Sequence, residues 1–242
     1  MNLCIDQGNS RTKVGLFNHN ELIEDFCYEQ FGEKELQVIL EKFSIQSCII
    51  SSVLAENTAL VEELRIQVRD FIELTHTTPV PVENDYATPE TLGKDRLAAI
   101  VGAAYLKPNR DILVIDAGTA ITYDFITASG HFLGGNIAPG LTLRLRSLHE
   151  FTQKLPVVSP KTESPLLGNS TESAILSGAL YGIVFEIDGY IDALKIKYPQ
   201  LSTFLTGGST FYFDTKLKNA IFAERNLVLI GLNRILQYNV QK

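Results

Sequence analysis

The sequence predicts an α/β protein made of two related halves, and three observations carry that prediction. Apolar, β-branched runs alternate along the chain with segments of helical periodicity, the pattern of a sheet covered by helices. A short apolar strand leading into Asp, any residue, Gly and a small hydrogen-bonding side chain occurs twice, in "LCIDQGNSRTKVGLF" (Leu3 to Phe17) and "LVIDAGTAITYDFI" (Leu113 to Ile126). Lys107, Pro108, Asn109 and Arg110 punctuate the chain just before the second copy, so the halves are expected at 1–108 and 109–242. Either copy alone reads as an ordinary hairpin turn in which Gly supplies a positive φ. Their repetition makes two related half-domains the better reading.

The strands are expected, in order, at Leu3 to Ile5, Val14 to Phe17, Ser47 to Val53, Ile112 to Ile115, Ala120 to Ile126, Phe132 to Ile137 and Ser202 to Leu205. Each is a short run rich in residues that suit a pleated, partly buried surface. Helices are expected at Glu33 to Phe43, Thr58 to Asp70, Arg96 to Leu106, Leu141 to Phe151 and Thr171 to Lys197. The last is the most regular, because Leu176, Leu180, Ile183, Ile187, Ile191 and Leu194 step by three or four. Thr171 suits its N-cap and Pro199 follows its end.

Composition bounds the function. A chain of 242 residues buries a full core. Its net charge of −7, spread along the sequence, disfavours a protein that tracks nucleic-acid backbones. Cys4, Cys27 and Cys48 form no C-x-x-C pair and are odd in number, which reads as reduced thiols in the cytoplasm. The first residues lack a basic region and a long apolar run, and the longest uncharged apolar run, Leu97 to Leu106, is too short to span a bilayer. Neither targeting nor membrane insertion is expected.

No G-x-x-x-x-G-K-[ST] or G-x-G-x-x-G motif is present, which excludes those fingerprints as a source of phosphate binding. The repeated turns offer another device. In "DQGNSRTK", Gly8 lets the backbone approach a phosphate, Asn9 and Ser10 offer donors, and Lys13 adds a positive charge. In "DAGTAITYD", Gly118, Thr119 and Thr122 supply donors beside Asp116 and Asp124. A carboxylate ~4 Å from a phosphate charge is disfavoured by about 4 kcal/mol at an effective dielectric of ~20, so cations are needed to reconcile the two. Mg²⁺ is the usual mediator.

The two glycine turns resemble the paired phosphate loops of the acetate and sugar kinase, Hsp70 and actin superfamily. Within it, "DQGNSRTK" (Asp6 to Lys13), "GKDR" (Gly93 to Arg96), "DAGTAITYD" (Asp116 to Asp124) and "TGG" (Thr206 to Gly208) together resemble type III pantothenate kinase, with Tyr86 and "GNST" (Gly168 to Thr171) also fitting. Ser10 stands where the family usually has Thr, which keeps the hydroxyl. The resemblance implies two duplicated actin-like (ribonuclease H-like) α/β domains closing over a nucleotide. It also implies ATP-dependent phosphorylation of the primary hydroxyl of pantothenate to 4'-phosphopantothenate, toward coenzyme A. It further implies that Asp6 holds Mg²⁺ through water, that Gly8, Asn9, Ser10 and Lys13 meet phosphates, and that Asp116 takes a monovalent cation, K⁺ or NH₄⁺. Thr119, Gly207 and Gly208 would then meet the nucleotide, and Tyr86, Gly93, Lys94, Asp95, Arg96 and Thr171 the pantothenate.

Asp95 is the candidate general base, at the entry of a helix whose Ala98, Ala99, Gly102 and Ala103 permit close packing. Without the resemblance it reads as a helix N-cap, and Arg96 as a surface cation. With it, Arg96 is placed to pair its planar donor fork with the pantothenate carboxylate. Gly178 to Gly182, "GALYG", forms a small-residue strip, which alone reads as intrachain packing. The resemblance implies a homodimer through the second half, with Thr171 completing its own or the partner's pocket. His19, His76, His131 and His149 show no metal or triad spacing. Two alternatives remain at this level. One is another kinase or phosphatase of the superfamily; the other is a transcriptional role, after the family's second name, Bvg accessory factor.

Overall fold

The computed structural model describes residues 1–53 and 58–240. In chain order these form β1 (Asn2–Gln7), β2 (Thr12–Asn18), β3 (Glu21–Tyr28), α1 (Glu33–Lys42), β4 (Ser47–Ser52), α2 (Thr58–Gln67), β5 (Asp70–Glu73), β6 (Glu83–Asn84) and α3 (Lys94–Leu106). They continue with β7 (Ile112–Ala117), β8 (Ala120–Ile126), β9 (His131–Pro139), α4 (Leu141–Glu150), α5 (Thr171–Lys197), β10 (Ser202–Thr206), β11 (Phe222–Ala223) and α6 (Leu227–Val240).

The first sheet has the order β3-β2-β1-β4-β5. β1 runs antiparallel to β2 and parallel to β4, which is buried on both faces from Ser47 to Ser51. That continuous burial is what a covered parallel strand requires. Leu3, Ile5, Val14, Leu16, Cys48 and Ile50 share a core with Leu36 and Ile39 of α1 and Leu60 and Leu64 of α2. The opposite face meets α6, where Asn2 Nδ2 donates to Asn233 Oδ1 at 2.9 Å. α6 in turn lies tight against α3: a Cβ at Gly231 would fall 1.8 Å from the Ala98 carbonyl oxygen, and one at Gly102 2.4 Å from that of Leu227. Cys4 and Cys48 are buried free thiols, and burial pushes both well above the ordinary thiol range; Cys27 is free and exposed.

The second sheet has the order β11-β10-β7-β8-β9-β6. The β7–β8 hairpin sets Leu113, Ile115, Ala117, Ile121 and Tyr123 in one core with Leu176, Leu180, Ile183, Ile187 and Ile191 of α5. α5 spans the predicted Thr171–Lys197 and is apolar and long enough to cross a membrane by length and composition; 56% of its most apolar window is buried inside the protein, where it supplies this core.

By compactness the chain divides into one unit of Met1–Pro108, Gly130–Phe132 and Asn226–Lys242, and another of Asn109–Ser129 and Leu133–Arg225. The sequence reading put all of 109–242 in the second domain. By compactness, α6, which packs on α3 and β1, groups instead with the first unit. Other departures are local. The helix expected to reach Asp70 ends at Gln67, and Asp70 opens β5. The N-cap of α5 is Ser170, whose Oγ accepts from Ser173 N, while Thr171 is the first helical residue. Gly8 and Gly118 do not adopt positive φ; among the described residues the glycines that do are Gly130, Gly134 and Gly207.

Candidate functional site

β1 carries Asp6 to its last turn of strand, and the hairpin to β2 is closed by Gly8 N–H donating to the Arg11 carbonyl at 3.0 Å. Asn9 and Ser10 stand exposed at the tip. Lys13 lies directly across from Asp6 in the antiparallel register, and Ser51 lies beside Asp6 in the parallel register with β4. Register partners project from the same sheet face. One row therefore holds a cation, a carboxylate and a hydroxyl.

β7 repeats the arrangement. Asp116 lies across from Thr122 on β8 and beside Thr206 on β10. Gly118 N–H donates to the Ala120 carbonyl at 2.9 Å, and Thr119 is exposed in the turn. After Thr206 the chain bends at Gly207, φ +101°, against the end of β7. A Cβ there would fall 2.4 Å from Asp116 Oδ1 and 2.5 Å from the Ala117 carbonyl oxygen, so both the backbone angle and the space demand glycine. Gly208 faces open space. Asp124 is buried two residues beyond Thr122 in β8. It is a sheet residue rather than part of the turn.

Gly93 is the N-cap of α3, and Asp95 sits inside the first helical turn. Asp95 Oδ1 accepts from Arg96 N at 2.8 Å, and a Cβ on Gly93 would approach that oxygen to 2.6 Å. The reading of Asp95 as an N-cap is thus corrected: Gly93 takes the cap and leaves room for the carboxylate. Arg96, expected at the surface in the absence of the resemblance, is only 6% exposed. Its guanidinium carbon lies 5.4 Å from the centroid of the Tyr86 ring. That ring in turn lies nearly parallel to Phe132, 6.1 Å away at 5°. A cation against an aromatic face is favoured, more so when water is excluded. The Tyr86 segment is tied by Asp85 N–H to the Phe132 carbonyl at 3.0 Å and by His131 paired with Asp85 at 3.0 Å.

In the first unit, then, Asp6, Lys13 and Ser51 form one group and Tyr86, Arg96 and Phe132 another. In the second, Asp116, Thr206 and Gly207 come together, while Thr171 stands exposed at the start of α5. Ser51, Phe132 and His131 escape sequence reading because only inter-strand register brings them to their partners. Among the described residues no group of three or more His, Cys, Asp or Glu is arranged to hold a metal ion. A cation at either Asp would be completed by ligand oxygens and water, as is usual where Mg²⁺ meets phosphates.

Residues 2–193 match the family model described as type III pantothenate kinase. The chain belongs to the type III pantothenate kinase family. It is 52% identical to the type III pantothenate kinase of Phocaeicola vulgatus over 99% of both chains. It is 43% identical to that of Christiangramia forsetii, again over 99% of both. Among solved structures, a Campylobacter jejuni protein assigned to the Baf family of transcriptional activators aligns at a TM-score of 0.64 and 26% identity, covering 99% of this chain and 100% of that one. A ROK family glucokinase from Streptomyces griseus aligns at 0.53 and 12% identity over 100% and 99%. That likeness shows the fold: the two-domain, actin-like α/β architecture of the sugar kinases. As a member of that family, the chain is an enzyme that transfers phosphate from ATP to pantothenate in coenzyme A biosynthesis.

Proposed function

We propose that Asp95 is the general base of this phosphoryl transfer and Arg96 the anchor for the pantothenate carboxylate. The observation that carries the reading is the first turn of α3, where Gly93 clears space for the Asp95 carboxylate and Tyr86 packs on the buried Arg96 guanidinium. Arg96 sets the acid end of the substrate through its planar donors. Tyr86, Gly93 and Lys94 complete the contact around it. Asp95 takes the proton of the primary hydroxyl as its oxygen bonds to the γ-phosphorus, and the bond from that phosphorus to the β–γ bridging oxygen breaks to leave ADP.

On the ATP side, Gly8, Asn9, Ser10 and Lys13 receive phosphates, and Thr119, Gly207 and Gly208 the rest of the nucleotide. Asp6 fits a water-mediated Mg²⁺, with a half-buried carboxylate flanked in register by Lys13 and Ser51. Asp116 fits K⁺ or NH₄⁺ as a half-buried carboxylate at the end of β7, flanked in register by Thr122 and Thr206. When bound, such cations neutralise phosphate charge. The assembly we propose is a homodimer through the outer face of α5, with Thr171 offered to a pantothenate pocket. The acidic balance supports a cytoplasmic enzyme that contacts neither nucleic acid nor membrane.

Asp95→Asn tests the central role. Turnover should fall by roughly 10²- to 10⁴-fold with ATP affinity little changed, since the amide keeps the shape but takes no proton. Activity within a few-fold of the parent rejects it. The likeness to the Campylobacter protein favours a second, regulatory reading. If a regulatory effect exists and survives Asp95→Asn, it runs apart from catalysis.

A further inference from the structure

Ser51 is fully buried, and its Oγ has no hydrogen-bond partner among the described residues. A hydroxyl buried without a partner is costly and calls for an explanation. Its position is specific. Ser51 is the register partner of Asp6 on the adjacent parallel strand, so its side chain leaves the same sheet face at a strand spacing of ~4.8 Å. Thr203, also buried without a partner, lies on the face of β10 opposite to that of Thr206 and has no such neighbour.

The second half repeats the placement independently. β10 stands to β7 as β4 stands to β1, and Thr206 occupies the position beside Asp116 that Ser51 occupies beside Asp6. Both halves therefore put a buried hydroxyl next to the strand-end carboxylate. Thr206 opens the "TGG" segment that bends against Asp116.

We infer that Ser51 is a positioning residue for the first phosphate loop: its hydroxyl donates to the Asp6 carboxylate when a Mg²⁺–nucleotide complex occupies that loop, fixing the orientation in which Asp6 meets the water shell of the cation. The inference rests on the assignment of Asp6 above. It explains why a hydroxyl with no partner among the described residues is kept buried beside the Asp6 strand end. Without nucleotide the hydroxyl contributes nothing to the fold.

The test separates the two states. Ser51→Ala, Ser51→Thr, Asp6→Asn and Asp6→Asn with Ser51→Ala are compared with the parent by thermal unfolding without ligand and by titration with Mg²⁺ and the non-hydrolysable analogue AMPPNP. Ser51→Ala should melt at or above the parent temperature while its affinity for the analogue falls about tenfold, as for loss of a hydrogen bond to a charged group. Adding it to Asp6→Asn should cost less than twofold more, because the partner is already altered. Unchanged affinity in Ser51→Ala beside lost affinity in Asp6→Asn overturns the inference alone, as does a tenfold loss that adds fully to that of Asp6→Asn. Parental affinity in Asp6→Asn overturns the Asp6 assignment and this inference with it. Should Ser51→Ala melt lower and bind more weakly, Ser51→Thr decides: recovered affinity supports positioning, and unrecovered affinity overturns it.

Discussion

At the scale of single residues, the second glycine turn and the bend after β10 fit together because position 207 lacks a side chain. Gly207 combines a left-handed backbone with a contact so close that any Cβ would press against Asp116 Oδ1 and the Ala117 carbonyl. The same close fit holds the Asp116 carboxylate at the end of β7, where the cation proposed above would meet it. A monovalent ion there would oppose the repulsion between the carboxylate and the nucleotide phosphates. The kinase rate, measured at fixed Mg²⁺, should therefore rise with K⁺ or NH₄⁺. Asp116→Asn should raise the concentration needed for half-activation by roughly tenfold, since it keeps an oxygen but removes the charge. Full parental activity with tetramethylammonium as the sole monovalent cation would sink the assignment.

At the scale of elements, the Asp95 turn depends on a helix pair that is not apparent from sequence. α3 and α6 approach so closely that the backbone of one fills the side-chain space of the other at Gly102 and Gly231. Gly231→Ala would drive a methyl into the Ala98 carbonyl, three residues beyond Asp95, and overpacking of this kind costs typically ~1–3 kcal/mol. Urea unfolding should show that loss, and kcat should fall with it as α3 shifts; an unchanged unfolding midpoint refutes the close packing. α6 is buried nearly all round, from Leu227 to Gln237, with Asn233 and Gln237 inward, and its place against α3 and β1 depends on pairing between segments more than 100 residues apart. β3 was missed because, as an edge strand of mostly intermediate exposure, it carries no clean alternation. The acid-bearing strand ends were legible because Asp-x-Gly after an apolar run is a local pattern. The stacking of Phe132 on Tyr86, and Ser51 beside Asp6, depend on pairing between distant segments, which no local window contains.

At the scale of the whole molecule, the question is whether one chain supplies a complete pantothenate site. Thr171 begins α5 in the open, and along the same helix Gly178 and Gly189 have nothing within 4 Å of a Cβ position, while Phe185 is 61% exposed. Leu166 and Leu167 add exposed apolar surface on the preceding loop. Intrachain packing therefore does not explain the glycine at 178, whereas the homodimer proposed above would. Gly182 is a poorer probe. Arg144 lies 3.8 Å from its Cβ position and pairs with Glu186 at 2.7 Å, which also accepts from the Tyr123 hydroxyl at 2.7 Å, so bulk at 182 would disturb the chain's own polar network. Gly178→Leu is the cleaner variant: its Cβ meets no described atom within 4 Å, so the subunit should fold and melt near the parent temperature. At a tight helix–helix interface the same side chain would be overpacked by ~1–3 kcal/mol per subunit, weakening association by roughly one to four powers of ten for the pair. Sedimentation velocity should then show a folded monomer at concentrations where the parent is a dimer, and a titration of that sample with pantothenate should show affinity lost in step. A persisting dimer would move the interface off this face, and a monomer that binds pantothenate as the parent does would show that each chain completes its own pocket.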